Sequence, residues 1–273
     1  MADTTITLAP SAAMTTGSIT VTASAALFTA ADVGRHLSIK QTPPGRAANT
    51  AYGVAQVFFS SYAGVERLYR VTGAGTTAAQ SLAGTTPNYD LNAPREIGNA
   101  VTDGTCVLKY LGQGKHVWGF GIITGYTSST QVTVLVDPRG PFVATAGSYN
   151  WKLGDWSDAR GWPAAVTIHA GRVWYLSSTT RPQTLWASNT GDFDNMTPTE
   201  PDGAVLDTHA ITITLDDDQI NRGVWLLTFK KDLAVGTASA EFTVAAASNT
   251  GALSPNNVRA VHQTDRGSAE AVA

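Results

Sequence analysis

Along the first forty residues, apolar positions alternate with Thr, Ser and Ala: Ile6 and Leu8, then Ile19 and Val21, then Leu37 and Ile39. Period two on β-branched and aliphatic residues predicts short, half-buried strands. Thr29 is placed to cap a single helical turn over Ala30–Val33, and Gly34 to end it. From about Thr42 to Gly114 the texture changes. Pro43-Pro44-Gly45 marks a turn, Tyr52–Phe59 and Arg67–Val71 read as strands, and Gly73–Ala100 is loop-like. Asp103-Gly104 is a hairpin signal, followed by alternation of Cys106, Leu108 and Tyr110 with Val107 and Lys109. Trp118–Tyr126 and Gln131–Val136 then predict a hairpin across Thr127–Thr130 and resume the texture of the opening.

Beyond residue 155 the strands are denser in aromatics. Val166–His169 and Arg172–Leu176 flank the two-residue turn Ala170-Gly171, and Thr184–Ser188 follows. Ala210–Leu215, Gly223–Phe229, Asp232–Gly236, Glu241–Val244 and Val258–His262 continue at blade-like intervals. The pattern predicts an all-β chain without a long helix. Its N-terminal β-sandwich or barrel-like domain is split into residues 1–41 and 115–155 by a small inserted β module, 42–114. A propeller- or sandwich-like β domain, 156–273, follows and is read as incomplete.

Composition narrows the function classes. Only 14% of the 273 residues are charged, against about 25% in ordinary globular chains. With 43% hydrophobic residues and seven Trp, the chain has ample material for cores. A net charge of -3 argues against a general nucleic-acid binder, which needs clustered Lys and Arg. Cys106 is the one cysteine, so no intrachain disulfide and no Cys-based zinc site is expected. The N-terminus lacks the basic and apolar stretches of a signal peptide, and no run approaches the ~18 apolar residues of a membrane helix.

Candidate chemistry is sparse. Asp216-Asp217-Asp218 could hold a hard cation, but no EF-hand spacing surrounds it, and a solvated turn is the plainer reading. His36, His116, His169, His209 and His262 are scattered, with His169 expected to pack or hydrogen-bond beside its turn. Neither a nucleophile elbow nor a phosphate-binding glycine loop occurs. Asp155, Asp158, Asp192, Asp194, Glu200 and Asp202 could pair as in a glycosidase, although turn-forming Asp explains them as well. Trp156, Trp162, Trp174, Trp186 and Trp225 could stack on sugars, with Trp174 and Trp186 expected in the core. No catalytic residue and no cofactor is expected.

The segment Trp156-Ser-Asp-Ala-Arg160-Gly-Trp162-Pro163, the turn Gly171-Arg172-Val-Trp174, and Arg181-Pro182-Gln-Thr-Leu-Trp186-Ala-Ser188-Asn-Thr-Gly191-Asp192-Phe resemble the tail nozzle (tail hub, or tail tubular B) proteins of short-tailed bacteriophages. Ile211-Thr212-Ile213, Trp225-Leu226-Leu227 and Ser254–Val258 continue the likeness. Upstream, Asp32-Val33-Gly34-Arg35 in Phe28–Arg35 resembles an element of the same family's N-terminal β domain, and the module from Val71 to Gly112, with its core Val101–Thr105, resembles a short insert common in phage tail proteins. Family members are longer, and this chain stops where theirs continue. The resemblance implies a structural homohexameric ring in the virion tail, assembled in the host cytoplasm. It would stack below an adaptor (tail tubular A) ring and beside tail fibres or spikes. Genomic DNA would pass through its lumen without sequence-specific binding, retained and then released. Arg160, Arg172 and Arg181 are expected either at subunit boundaries or in bridges to Asp155 or Asp192. The main alternative is a carbohydrate- or host-receptor-binding module, and a weaker one is a tailspike-like glycosidase.

Overall fold

The computed structural model describes residues 5–62, 64–79, 91, 95–199, 203–217, 219–248 and 251–269. It is an all-β protein that divides into two compact units, 1–154 and 155–273.

In the first unit, the six strands β1 (Leu8–Pro10), β2 (Gly17–Ala23), β3 (His36–Gln41), β10 (Val117–Ser128), β11 (Gln131–Val136) and β12 (Trp151–Leu153) form one antiparallel sheet, ordered β1-β2-β11-β10-β3-β12. Alternation does what the sequence pattern demands. Leu8, Ile19, Val21, Leu37, Ile39, Val132 and Val134 face one core, which Phe28, Phe142 and Trp151 close over. Ser18, Thr20, Thr22, Ser38 and Lys40 point to the other face. Strand β10 is the spine: it pairs with β3 over Val117–Ile122 and with β11 over Gly121–Ser128.

The chain between β3 and β10 forms its own sheet and core. Strands β5 (Val57–Tyr62), β6 (Val65–Gly73), β8 (Ala100–Asp103) and β9 (Cys106–Gln113) run in the order β5-β6-β9-β8, beside a ribbon of β4 (Ala51–Tyr52) and β7 (Gly75–Thr76). Phe58, Tyr69, Val71, Leu91, Cys106, Leu108 and Tyr110 fill this second core. The loop-like stretch expected over 73–100 contains β7 and the start of β8; residues 80–90 and 92–94 lie outside the described residues.

The second unit holds two four-stranded meanders of the blade type. Blade 1 is β13 (Ala165–His169), β14 (Arg172–Ser178), β15 (Arg181–Ala187) and β16 (Ile211–Thr214); blade 2 is β17 (Gly223–Phe229), β18 (Asp232–Thr237), β19 (Glu241–Ala245) and β20 (Arg259–Thr264). Trp174, Leu176, Leu185, Ala187 and Ile211 of the first meet Leu233, Val235, Phe242 and Val244 of the second in one buried layer. The two first strands run side by side in the same direction. Gly223 opens β17 against Leu176, the partner of Ala165 at the start of β13. At the other end, the Thr228 hydroxyl donates to the Ile168 carbonyl. No helix among the described residues is long and apolar enough to cross a membrane.

Candidate functional site

The segment singled out by its sequence builds blade 1 and one connection. Ala170 and Gly171 have φ of 51° and 70°, the two positive values that a two-residue type I′ hairpin needs. This turn starts β14 at Arg172, whose side chain has no exposed surface. Its Nη1 donates to the carbonyl oxygens of Ser188 and His209, each at 2.6 Å, and Nη2 donates to that of Asp207 at 2.6 Å. One guanidinium therefore grips both ends of the long connection between β15 and β16. Burial lowers its pKa, with the Asp207 charge opposing.

The neighbouring signature residues serve the same joint. The Ser188 hydroxyl accepts from the Val173 amide and donates to the Asn189 carbonyl. Gly191, at φ 73°, donates its amide to the Gly171 carbonyl, and Asp192 donates its own to Asn189. The fully buried Trp174 donates its indole N–H to the His169 carbonyl at 3.1 Å. His169 is itself buried, which lowers its pKa. This matches the packing role expected for it.

On the other face of blade 1, Trp156 packs edge-on against Tyr175 and Trp186, with ring centroids 4.9 and 5.3 Å apart. Trp186 donates its indole N–H to Asp155, whose other oxygen lies 3.5 Å from Arg181. Of the two bridges open to Arg181, the one to Asp155 is formed. The Arg160 carbonyl accepts from the Thr180 amide and hydroxyl, anchoring the approach to β13 on the turn before β15. Pro182 sits in β15 beside a bulge, a position where a missing amide costs no ladder bond. Trp162 remains 54% exposed, with its indole N–H held by Asp158 at 2.9 Å and Pro163 following it. In blade 2, Trp225 lies across Gly236, where a Cβ would come within 2.1 Å of the ring.

One expectation needs correction. A wholly buried side chain cannot reach another copy, so Arg172 has no subunit-boundary role. Its partners are main-chain carbonyls, not carboxylates.

In the first unit, Asp32, Gly34 and Arg35 make a second joint. Asp32 accepts from the Thr29 amide, the Thr29 hydroxyl and Arg35. Arg35 also donates to the Gly154 carbonyl at 2.6 Å, and Gly34, at φ 91°, donates to the Ile123 carbonyl. Burial raises the Asp32 pKa, but the bonds from Arg35 and Thr29 outweigh it and hold the carboxyl below its usual range.

Among the described residues, the candidate chemical groups do not gather into a metal-holding cluster. Asp217 accepts from the Asn221 side chain and the Gln219 amide, which makes it a turn residue, while Asp216 is exposed. Asp218, Glu200 and Asp202 lie outside the described residues. Among the described residues there is no group of three or more His, Cys, Asp or Glu placed to hold a metal. The sequence offered no signal for the carbonyl grip of Arg172, because residues 188 and 207–209 take part through their backbones alone.

Compared with known proteins, the chain matches no family model and no curated sequence.

Proposed function

We propose that this chain is a structural subunit of a bacteriophage tail nozzle: one copy in a homohexameric ring that lines the lower DNA-ejection channel, holds the packaged genome and then releases it. The reading rests on the resemblance of residues 156–193 to that family. One observation carries it further. The residues of that resemblance, Gly171, Arg172, Trp174, Trp186, Ser188 and Gly191, are consumed in holding blade 1 and its long connection together. A signature spent on a scaffold suits a part whose work is shape.

The partners on this reading are further copies, an adaptor ring, tail fibres or spikes, and DNA sliding through without sequence readout, in the tail of the virion. A net charge of -3 suits a wall from which phosphates slide. The test is native mass, alone and with the adaptor ring of the same phage. Six copies, free or docked, are expected; a monomer that ignores the adaptor would overturn the reading. Replacing Asp216, Asp217 and Asp218 by Asn is expected to slow DNA ejection, and an unchanged rate would remove these residues from the lumen.

A second reading, a carbohydrate-binding module, has one observation in its favour. Trp162 presents an open ring face whose N–H is already satisfied. Glycan-array binding lost in Trp162→Ala would establish it; no binding by the native chain would dismiss it.

A further inference from the structure

The four-stranded sheet of the inserted module has one face in its core and one turned away from it. Tyr69 and Val71 of β6, with Leu108 and Tyr110 of β9, fill the core. Between them alternate Arg70 on β6 and Val107 and Lys109 on β9, which take the other face. The register sets Arg70 directly opposite Lys109 on one rung. Val57 of β5 stands beyond Arg70 and Ala100 of β8 beyond Lys109, so the four residues across the sheet are two cations flanked by two apolar side chains.

Like charges directly opposite on a sheet are destabilising. The other arginines of the first unit are all matched. Arg35 is held by Asp32, Arg46 by Asp103 and Arg139 by Asp137, while Arg67 donates to the Tyr110 hydroxyl and Arg95 to that of Tyr69. Arg70 is the exception. Among the described residues, neither it nor Lys109 has an ion pair or a side-chain hydrogen bond, and the Arg70 Nε is closed off from solvent without an acceptor. Of the module's described acids, Glu66 is taken by Lys115 and Asp103 by Arg46, and the exposed Glu96 pairs with neither cation of the rung. A rung that keeps two repelling cations and an orphaned donor carries a cost that a bound anion removes.

We infer that the Arg70–Lys109 rung binds a phosphate group, carried either by a small phosphate ligand or by a phosphodiester strand. The planar guanidinium takes two oxygens side by side, and the ammonium, a point charge on a flexible stem, takes a third. A carboxylate has only two oxygens to offer, so the pair suits a tetrahedral oxyanion better. The site belongs to the inserted module alone and holds whether or not the chain forms a ring.

The test follows the backbone amides of the full chain by NMR while inorganic phosphate is titrated in, with sodium chloride of equal ionic strength as the reference. A second titration uses single-stranded oligothymidylate. Phosphate is expected to shift the amides of Arg70, Lys109, Val57 and Ala100 saturably and to leave Val132–Val134 in place. Arg70→Gln and Lys109→Gln should each weaken binding about tenfold or more, and Arg70→Lys should retain part of it. Without phosphate, Lys109→Gln should melt no lower than the native chain, since it relieves the repulsion; this also shows that the variant is folded. Saturation at the rung by phosphate, with the oligonucleotide no tighter, assigns a small ligand. The same amides shifted at a lower concentration of oligonucleotide assign a strand. Shifts scattered over the sheet, saturation by neither probe, or binding indifferent to both Gln variants would overturn the site. A lower melting temperature for Lys109→Gln would count against it too, because the rung would then hold no repulsion for an anion to relieve.

Discussion

Arg172 holds the Ser188 carbonyl oxygen 2.6 Å from its Nη1 in a site sealed from solvent. The same nitrogen holds the His209 carbonyl and, at 3.3 Å, that of Thr208, and the other terminal nitrogen holds that of Asp207, so four backbone acceptors meet on one side chain. Arg172→Met removes the donors and strands buried carbonyls, which should cost about 3 kcal/mol or more of the second unit's stability. Arg172→Lys keeps the charge but not the planar fork, and should recover less than half of that loss. Urea unfolding followed by Trp fluorescence measures both; a loss under about 1 kcal/mol for the Met variant would show that the grip is dispensable.

Ala170 occupies a left-handed position that suits Asn or Gly. Ala170→Asn should therefore stabilise the β13–β14 hairpin by about 0.5–1 kcal/mol, and Gly171→Ala should destabilise it by about 1 kcal/mol. Thermal unfolding should shift in opposite directions for the two variants; shifts of the same sign would contradict the turn geometry.

Burial, the largest influence on each, lowers the pKa values of His116 and His169. A histidine with a depressed folded pKa binds fewer protons folded than unfolded, so stability rises with pH. Its contribution is complete above the unfolded value of about 6.5 and drains away as pH falls through the lower folded value. The melting temperature should accordingly fall from pH 7.5 to pH 5. His169→Gln should flatten the fall; an unchanged slope would assign the acid sensitivity elsewhere.

Asp103 and Arg46 form a pair buried in the inserted module, with Nε and Nη2 at 2.8 and 3.0 Å from the carboxylate. Asp103 also accepts the Ala78 amide at 2.8 Å. Asp103→Asn leaves the guanidinium without its countercharge and should cost about 3 kcal/mol. Hydrogen exchange over Cys106–Tyr110 should speed up while Val132–Val134 stays protected; equal acceleration in both would mean that the two cores melt together.

The all-β class was legible because alternation is a direct record of which face a strand buries. Leu37 and Ile39 carry that record, as do Ile19 and Val21, while Ala170-Gly171 was legible as a turn. The start of β15 was not legible: the pattern began that strand at Thr184, whereas it starts at Arg181 and takes in Pro182 beside a bulge, which leaves no local mark in sequence. Arg172 was misread for a related reason. An arginine among aspartates suggests ion pairs, yet its partners are carbonyls that every residue possesses. Trp174, inside a strand pattern, was legible as a core ring, whereas nothing in Gly161-Trp162-Pro163 marked Trp162 as exposed.

Gln41 and Val117 face each other on one rung of β3 and β10, and the whole inserted module is strung between them. Mechanically, the module is a handle. Tension drawn through its two attachment points would arrive at a single rung and open β3 from β10 like a zip, one hydrogen bond after another. The same load applied along the strands would have to shear the whole ladder at once. A tug on this module is thus the gentlest way to open the first unit, and a push against it leaves the sheet shut.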